Sequence, residues 1–421
     1  MTDERTIIIG GGPIGVSTLY ELVRRGRPAV LIESRDSLGS GACFANGGVL
    51  TPSLSDPWNG PGVGSHLVAS LFAQNAAMKL QPHAIPSLTR WGIQFLLNSL
   101  PKRHRAATLA SFHLAQYSVD QTRKLDEDVE LDWRLHRLGT LKTFETEAAF
   151  QEQLTLAEML GVEGLTFDVL SPEDVVQLEP QLETASQRMA KAIFYPDDVS
   201  GDAHRFAVEL SRHAQSLGAE IRCSEAVLEV CWEQGRVIGV ETSNGFVPGR
   251  EVVIAAGEAS PQLSRKLGVR LPIAPAKGYS LTIDMTGWNA RPSIPVIDGA
   301  THFGVAPLED RLRCVGVAEF TGRDDRVKAA RVEFLNELFE RLFPQLSANL
   351  DPSKTETWAG LRPMSADGLP FIGATQKEGL WVNAGHGHLG WTMAMGSGAL
   401  LADLMTGETP KIDPHPYRVD R

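Results

Sequence analysis

The feature that most narrows what this chain can fold into lies near its start. Residues 6–26 read TIIIGGGPIGVSTLYELVRRG. A β-branched apolar run meets a cluster of glycines, and apolar residues then recur at helical spacing. The run Thr6–Ile9 predicts a buried strand. Residues 13–25 predict a helix that turns Val16, Leu19, Leu22 and Val23 inward, with Pro13 at a first helical position. Gly10, Gly12 and Gly15 fit G-x-G-x-x-G: one glycine for the tight turn, one for backbone approach to phosphate, one for close packing of helix on strand. The helix N-terminus offers unpaired N–H groups and partial positive charge to a pyrophosphate. A second strand, Ala29–Ile32, ends at Glu33, eighteen residues beyond Gly15, where such folds carry the carboxylate that binds a ribose. An acid there disfavours a 2′-phosphate, and with it NADP. Taken alone the motif also fits a glycine turn with no ligand; strand, helix and acid together favour a dinucleotide site.

The motif does not choose between NAD and FAD, but the rest of the chain helps. After Glu33 no further βα unit follows. Residues 34–64 read SRDSLGSGACFANGGVLTPSLSDPWNGPGVG, and small residues of this kind let backbone lie against a large flat ligand. Residues 219–257 alternate like a β-meander, with turns at Gln234-Gly235 and Asn244-Gly245 and a last strand at 251–256 leading into Gly257. A helix with Phe206, Leu210, Ala214 and Leu217 on one face precedes it, so the nucleotide domain resumes near residue 197. The end of the chain repeats the opening logic: a strand at 380–383, a glycine-rich turn, and a helix over 391–405. Aimed at an isoalloxazine ring, that helix end would stabilise negative charge on reduced flavin.

The chain of 421 residues is long enough for two domains. Outside the nucleotide part, residues 277–285 alternate as a half-buried strand, with Tyr279, Leu281, Ile283 and Met285 on one face. Residues 301–307 and 311–320 read as a hairpin around 308–310. Leu335, Leu338, Phe339, Leu342 and Phe343 mark an amphipathic helix. Residues 63–101, apolar and containing Trp91, read as a helical cover, with a peripheral membrane patch as the alternative.

A net charge of −11 argues against a nucleic-acid partner, which calls for a basic patch, and against simple attraction to an anionic membrane. Cys43, Cys223, Cys231 and Cys314 form no CxxC pair, so neither a metal site nor a disulfide framework is expected. The acidic start lacks the apolar core of a signal peptide, and no apolar run reaches the ~20 residues that span a bilayer. The expectation is a cytoplasmic protein.

The segments SGACFANGGVLTPSLSDPWNGPG, KGYSLTI, WAGLRPMSADGLPFIG and NAGHGHLGWTMAMGSGALLADL resemble the bacterial D-amino acid dehydrogenase small-subunit family, within the wider group of D-amino-acid, glycine and sarcosine oxidases. The resemblance covers nearly the whole chain. It implies an α/β fold: a Rossmann-like FAD-binding domain, discontinuous over 1–82, 197–272 and 352–421, and a substrate domain with a mixed or antiparallel sheet and helices over 83–196 and 273–351. It implies non-covalent FAD and oxidative deamination of a D-amino acid. The acceptor would be a quinone, a carrier protein or oxygen. A partner subunit and a contact with the inner membrane face stay open. D-hydroxyproline dehydrogenase, glycine or sarcosine oxidation, and a non-catalytic flavoprotein subunit are the alternatives.

By position, the resemblance puts the pyrophosphate and ribose contacts on Gly10, Gly12, Pro13, Ile14, Gly15 and Glu33, with Ser34 and Arg35 beside them. The flavin-side backbone contacts fall on Ala45, Asn46, Gly47 and Gly48. Val227 takes the adenine side, and Ala256 and Gly257 close over the nucleotide. Gly387, His388, Leu389, Gly390, Trp391 and Thr392 meet the ring. Cys43 departs from the serine usual in the family, and Gly48 from its usual pairing of small residues. A guanidinium grips a carboxylate through two hydrogen bonds, and Arg362 in GLRP is the candidate anchor; the alternative is a structural ion pair or a surface arginine. The likeness to glycine oxidase implies the anchor role. Tyr279, His302, Phe303 and His388 are further pocket candidates, each with core packing as the alternative reading.

Overall fold

In the computed structural model, which describes residues 5–72 and 76–421, the opening run is the strand Thr6–Ile9, buried at every position. It lies between Ala29–Ile32 and Glu251–Ile254, parallel to both. Strands buried on both faces are apolar throughout, and these nearly are. Glu220–Arg222 and Leu380–Ala384 continue the parallel array, and Phe371–Ala374 closes it antiparallel. Helices Pro13–Val23, Ala203–Ser216 and Ala394–Thr406 share one core on one side, through Val16, Leu19, Phe206, Leu210 and Leu400. On the other side lies the meander Val227–Glu233, Arg236–Thr242 and Gly245–Pro248, which packs Val230, Val240 and Val247 on Ile7 and Ile9. Residues 251–256 were expected to close this meander. Instead Glu251–Ile254 sits in the parallel sheet, because its unbroken apolar run suits burial on two faces rather than one.

The second sheet has nine strands among the described residues. Its spine is Ile273–Asp284, antiparallel to Thr355–Ser365 on one side and Arg311–Phe320 on the other. Tyr279, Leu281 and Ile283 face a core completed by Leu335, Leu338, Phe339 and Leu342 of the helix Ala329–Leu342. The opposite face was expected to meet solvent. It is buried too, Ser280 and Thr282 included, because the loop at Asn46 and Gly47 lies over it: Arg313 Nη1 donates to Asn46 O at 2.9 Å.

The expected division of the chain shifts at three places. Thr355–Ser365, assigned to the nucleotide part, belongs to the second sheet, as does Met78–Leu80, which pairs with Arg311–Phe320. The helix Pro101–Asp128, assigned to the substrate part, packs Ala107, Leu114 and Val119 into the nucleotide core. There Gly396 N donates to Ser118 Oγ at 2.9 Å, and a Cβ at Gly396 would stand 2.7 Å from Ser118 Cβ.

Helix Ile85–Asn98 does cover the second sheet. Trp91 Nε1 donates to Met364 O at 2.9 Å, and Leu88, Trp91 and Phe95 pack with Ala274, Ala276 and Phe320. Among the described residues no helix is long and apolar enough to cross a membrane.

Candidate functional site

Each glycine of the first turn has its own reason. Gly10 has φ +116°, and a Cβ there would lie 2.5 Å from Ala255 O. A Cβ at Gly15 would lie 1.9 Å from Gly10 O, so only glycine lets the helix pack this close. Gly12, the helix N-cap, has no side-chain cap and nothing within 4 Å of a Cβ position; it faces the cleft between the two sheets. Glu33 is fixed at the cleft wall by hydrogen bonds from Gly11 N at 2.6 Å and Arg35 N at 2.8 Å.

That cleft has a volume of about 690 Å³, in the range of ligand sites. Gly10, Gly12, Pro13, Ile14, Glu33, Ser34 and Arg35 line one end, and Val227, Ala256 and Gly257 adjoin them. Ala45, Asn46 and Gly47 line its length, and Gly387, His388, Leu389, Gly390, Trp391 and Thr392 the far end. Gly15 and Gly48 stand behind the lining. Gly48, with φ +68°, holds its loop close, accepting from Gly201 N at 2.9 Å. Cys43 borders the cleft but its thiol donates to Gly39 O, and burial pushes its pKa up to about 12, so it stays a thiol.

At the far end the expected helix begins at Ala394, three residues late, because a hydrogen-bonded turn over 390–393 follows the 3₁₀ turn Gly387–Leu389. Thr392 Oγ1 accepts from Thr51 N at 3.2 Å. His388 Nε2 lies 3.1 Å from Leu54 O, and its ring stacks on Trp58 at 5.2 Å. Burial lowers His388 to about 4 and His386 to about 3, so both rings are neutral at pH 7. Trp391 packs on Trp133 and Phe206. His386 Nε2, Asn383 Oδ1 and Trp391 Nε1 are buried without a hydrogen-bond partner among the described residues, and all three residues line the cleft. Buried polar atoms are rarely left unpaired. With a glycine cradle and a carboxylate at one end and polar atoms without partners at the other, the residues present fit FAD.

Arg362 stands in the same cleft. Gly278 and Gly360 face each other across two strands. A Cβ at Gly278 would lie 1.8 Å from Arg362 Nη1, and one at Gly360 would lie 1.9 Å from the Trp358 ring. The paired glycines therefore make room for guanidinium and indole on the cleft floor. Among the described residues the guanidinium has Trp58 at 5.6 Å and only Val317 O, at 3.5 Å, as acceptor. Among the described residues no carboxylate pairs with it. Burial lowers its pKa to about 10, which leaves it charged at pH 7.

The other candidates divide. His302 lies in the cleft lining, on a turn with φ +53° before the strand Gly304–Leu308 rather than on the strand itself. Desolvation, then Lys142, holds its pKa below the usual histidine value. Tyr279 borders the cleft, but its side chain is spent elsewhere: it is 1% exposed and its hydroxyl donates to Glu319 Oε2 at 2.9 Å. Phe303 is fully buried against Gly316 on the side of the helix Ala329–Leu342, outside the cleft; core packing is its role. Asp56, Trp58, Lys142 and Trp358 line the cleft and were not singled out from sequence. Asp56, Trp58 and Trp358 sit inside the quoted family segments and could have been; Lys142 reads as an ordinary strand lysine.

The family model described as "FAD dependent oxidoreductase" matches residues 5–404. A D-amino acid dehydrogenase of Agrobacterium fabrum is 34% identical over 414 residues, covering 98% of both chains. One of Bradyrhizobium diazoefficiens is 33% identical over 417 residues, 99% of this chain and 98% of the relative. Among solved structures, L-proline dehydrogenase from P. horikoshii superposes with a TM-score of 0.78 at 19% identity, over 99% of this chain and 97% of that one. Glycine oxidase from Bacillus cereus gives 0.75 at 22%, over 99% and 97%. At these identities the structures speak to the fold alone.

Proposed function

The chain belongs to the family of FAD-dependent oxidoreductases, and we propose that it oxidises the α-carbon of a D-amino acid and passes the electrons to a quinone or another carrier. The observation that carries this reading is Arg362: a buried guanidinium on the floor of the cleft, without a carboxylate partner among the described residues. Burying such a charge is costly unless something pairs with it, and a substrate carboxylate does so through two charge-assisted hydrogen bonds. The names of the relatives supply the D-amino acid.

FAD, when bound, supplies the acceptor for a hydride from the α-carbon, leaving an imine that water converts to a 2-oxo acid and ammonia. Gly10, Gly12, Glu33, Val227 and Ala256 would hold the nucleotide, and Asn46, Gly47 and 387–392 the flavin end. Arg362 orients the carboxylate. Neutral His388 supports Leu54 and adds no charge against the amine, which must give up its proton before reaction. Asp56 is the carboxylate facing that end of the cleft.

An exposed ridge supports a peripheral membrane contact near a quinone pool. Val68, Ile93, Leu96, Leu97 and Leu100 are 45–60% exposed, and Lys102, Arg103 and Arg105 follow them. Apolar area beside basic residues suits an anionic bilayer surface. The test of function is anaerobic: FAD-loaded protein is mixed with D- and L-amino acids, glycine, sarcosine and cyclic amines. Bleaching of the flavin by D-amino acids supports the reading. Bleaching by glycine or sarcosine alone, or by none of the panel, removes it.

A further inference from the structure

The sheet that carries Arg362 presents a second buried cation on the same face. The strand register runs in one line: Trp358 opposite Ser280, Ser280 opposite Val315, Val315 opposite Gly304, Gly304 opposite Ile297, and Ile297 opposite Lys142. Directly paired residues project to one side of a sheet, and Trp358 and Arg362, four apart on one strand, share that side. Lys142 therefore stands on the floor where Arg362 stands. Between them Gly304, Val315 and Ile297 keep the floor low and apolar, and all three line the cleft.

Lys142 is 3% exposed. Its Nζ donates to Gln153 Oε1 at 2.6 Å, and Gln153 Nε2 in turn donates to Tyr195 OH at 3.2 Å. No carboxylate lies within ion-pair distance of it among the described residues; burial holds its pKa below the usual lysine value, and Asp56 and Glu152 oppose this from further off. An ammonium has three donors, so two remain for a ligand. A buried cation whose bonded partner is a neutral amide is costly in itself. Arg362 and Lys142 are the two cations of this floor and Asp56 lines the cleft beside them, while Glu152 acts on Lys142 from outside the lining.

Five strand spacings of about 4.8 Å carry the line about 24 Å across the sheet to Trp358, and Arg362 lies four residues, about 13 Å, further along that strand; the reach of two long side chains shortens the gap between the cationic groups. Aspartate is too short for that span. Resting on the reading that Arg362 holds the α-carboxylate, we propose that Lys142 is a specificity residue. It receives the anionic end of the substrate's side chain, so the preferred substrates are D-amino acids whose several-carbon side chain ends in a carboxylate.

The test uses FAD-loaded protein and ligands that cannot be oxidised, read by perturbation of the flavin absorbance. Dicarboxylates (adipate, pimelate) are compared with monocarboxylates of the same length. One charge-assisted hydrogen bond is worth roughly tenfold or more in affinity, so the diacid should bind the wild type about tenfold tighter. In K142M the two should agree within about twofold. Flavin reduction by D-2-aminoadipate and D-norleucine, matched in length, should follow the same ratio. Equal binding of mono- and diacid by the wild type, or equal weakening of both in K142M, overturns the proposal. In that event bleaching by neutral D-amino acids would leave the proposed function standing, whereas no bleaching by any amino acid would remove both.

Discussion

Replacing Arg362 by methionine should move stability and binding in opposite directions. The guanidinium is charged in both the folded and the unfolded chain at pH 7. Its fall from 12.5 to about 10 on burial therefore expresses its full cost, about 3 kcal/mol. Trp58, 5.6 Å from the guanidinium, returns about 1 kcal/mol through cation–π attraction. The difference, about 2 kcal/mol, is released by a methionine of similar length. For 421 residues the unfolding entropy converts this to a rise in Tm of about 2 °C. Binding loses two charge-assisted hydrogen bonds, each worth about 1.5–3 kcal/mol, so affinity for amino acid should fall at least about 100-fold. The assay is calorimetry on the FAD-loaded variant without substrate, beside an anaerobic titration of flavin reduction. A Tm several degrees lower with unchanged affinity would refute the reasoning, for Arg362 would then be a structural residue.

Asp198 is 1% exposed, accepts from Ser53 Oγ at 2.6 Å, and is pushed up to about 7 by burial. The folded state holds its proton more tightly than the unfolded chain, whose carboxyl titrates near 3.8, so the burden appears as pH rises from about 4 and is complete above about 7. D198N should therefore match the wild type near pH 4 and gain Tm over it up to pH 7, levelling off beyond; a gap that does not change with pH contradicts this. Gly15→Ala should lower both the Tm of the FAD-free protein and FAD retention, because its Cβ collides with Gly10 O at a cost of about 1–3 kcal/mol. Gly12→Ala, with open space around the new methyl, should keep the FAD-free Tm and lose FAD affinity only, as isothermal titration with FAD would register.

The nucleotide half was legible because its chemistry is local. Continuous apolar strands, three glycines and an acid at Glu33 each do their work within thirty residues of one another. What escaped was set by partners far along the chain. Ser280 and Thr282 read as a wet face, yet the loop at Asn46 covers them. Glu251–Ile254 read as the next strand of a meander, yet a place beside Thr6–Ile9 suits its apolar run better. Tyr279 alternates as a pocket residue would, but Glu319, forty positions later, takes its hydroxyl. Lys142 carries no local mark at all; only the register of six strands brings it to the floor that Arg362 shares. Arg362 was legible from GLRP, whereas the reason it can lie flat, Gly278 opposite Gly360, is a fact of strand pairing.

Substitution of deuterium for hydrogen at the α-carbon of a D-amino acid tests the central claim most directly. With FAD-loaded protein mixed rapidly and without oxygen, the flavin should bleach several-fold more slowly with the deuterated substrate than with the ordinary one. Bleaching at equal rates, with R362M as fast as the wild type, would contradict an α-carbon held by Arg362 as the source of the electrons.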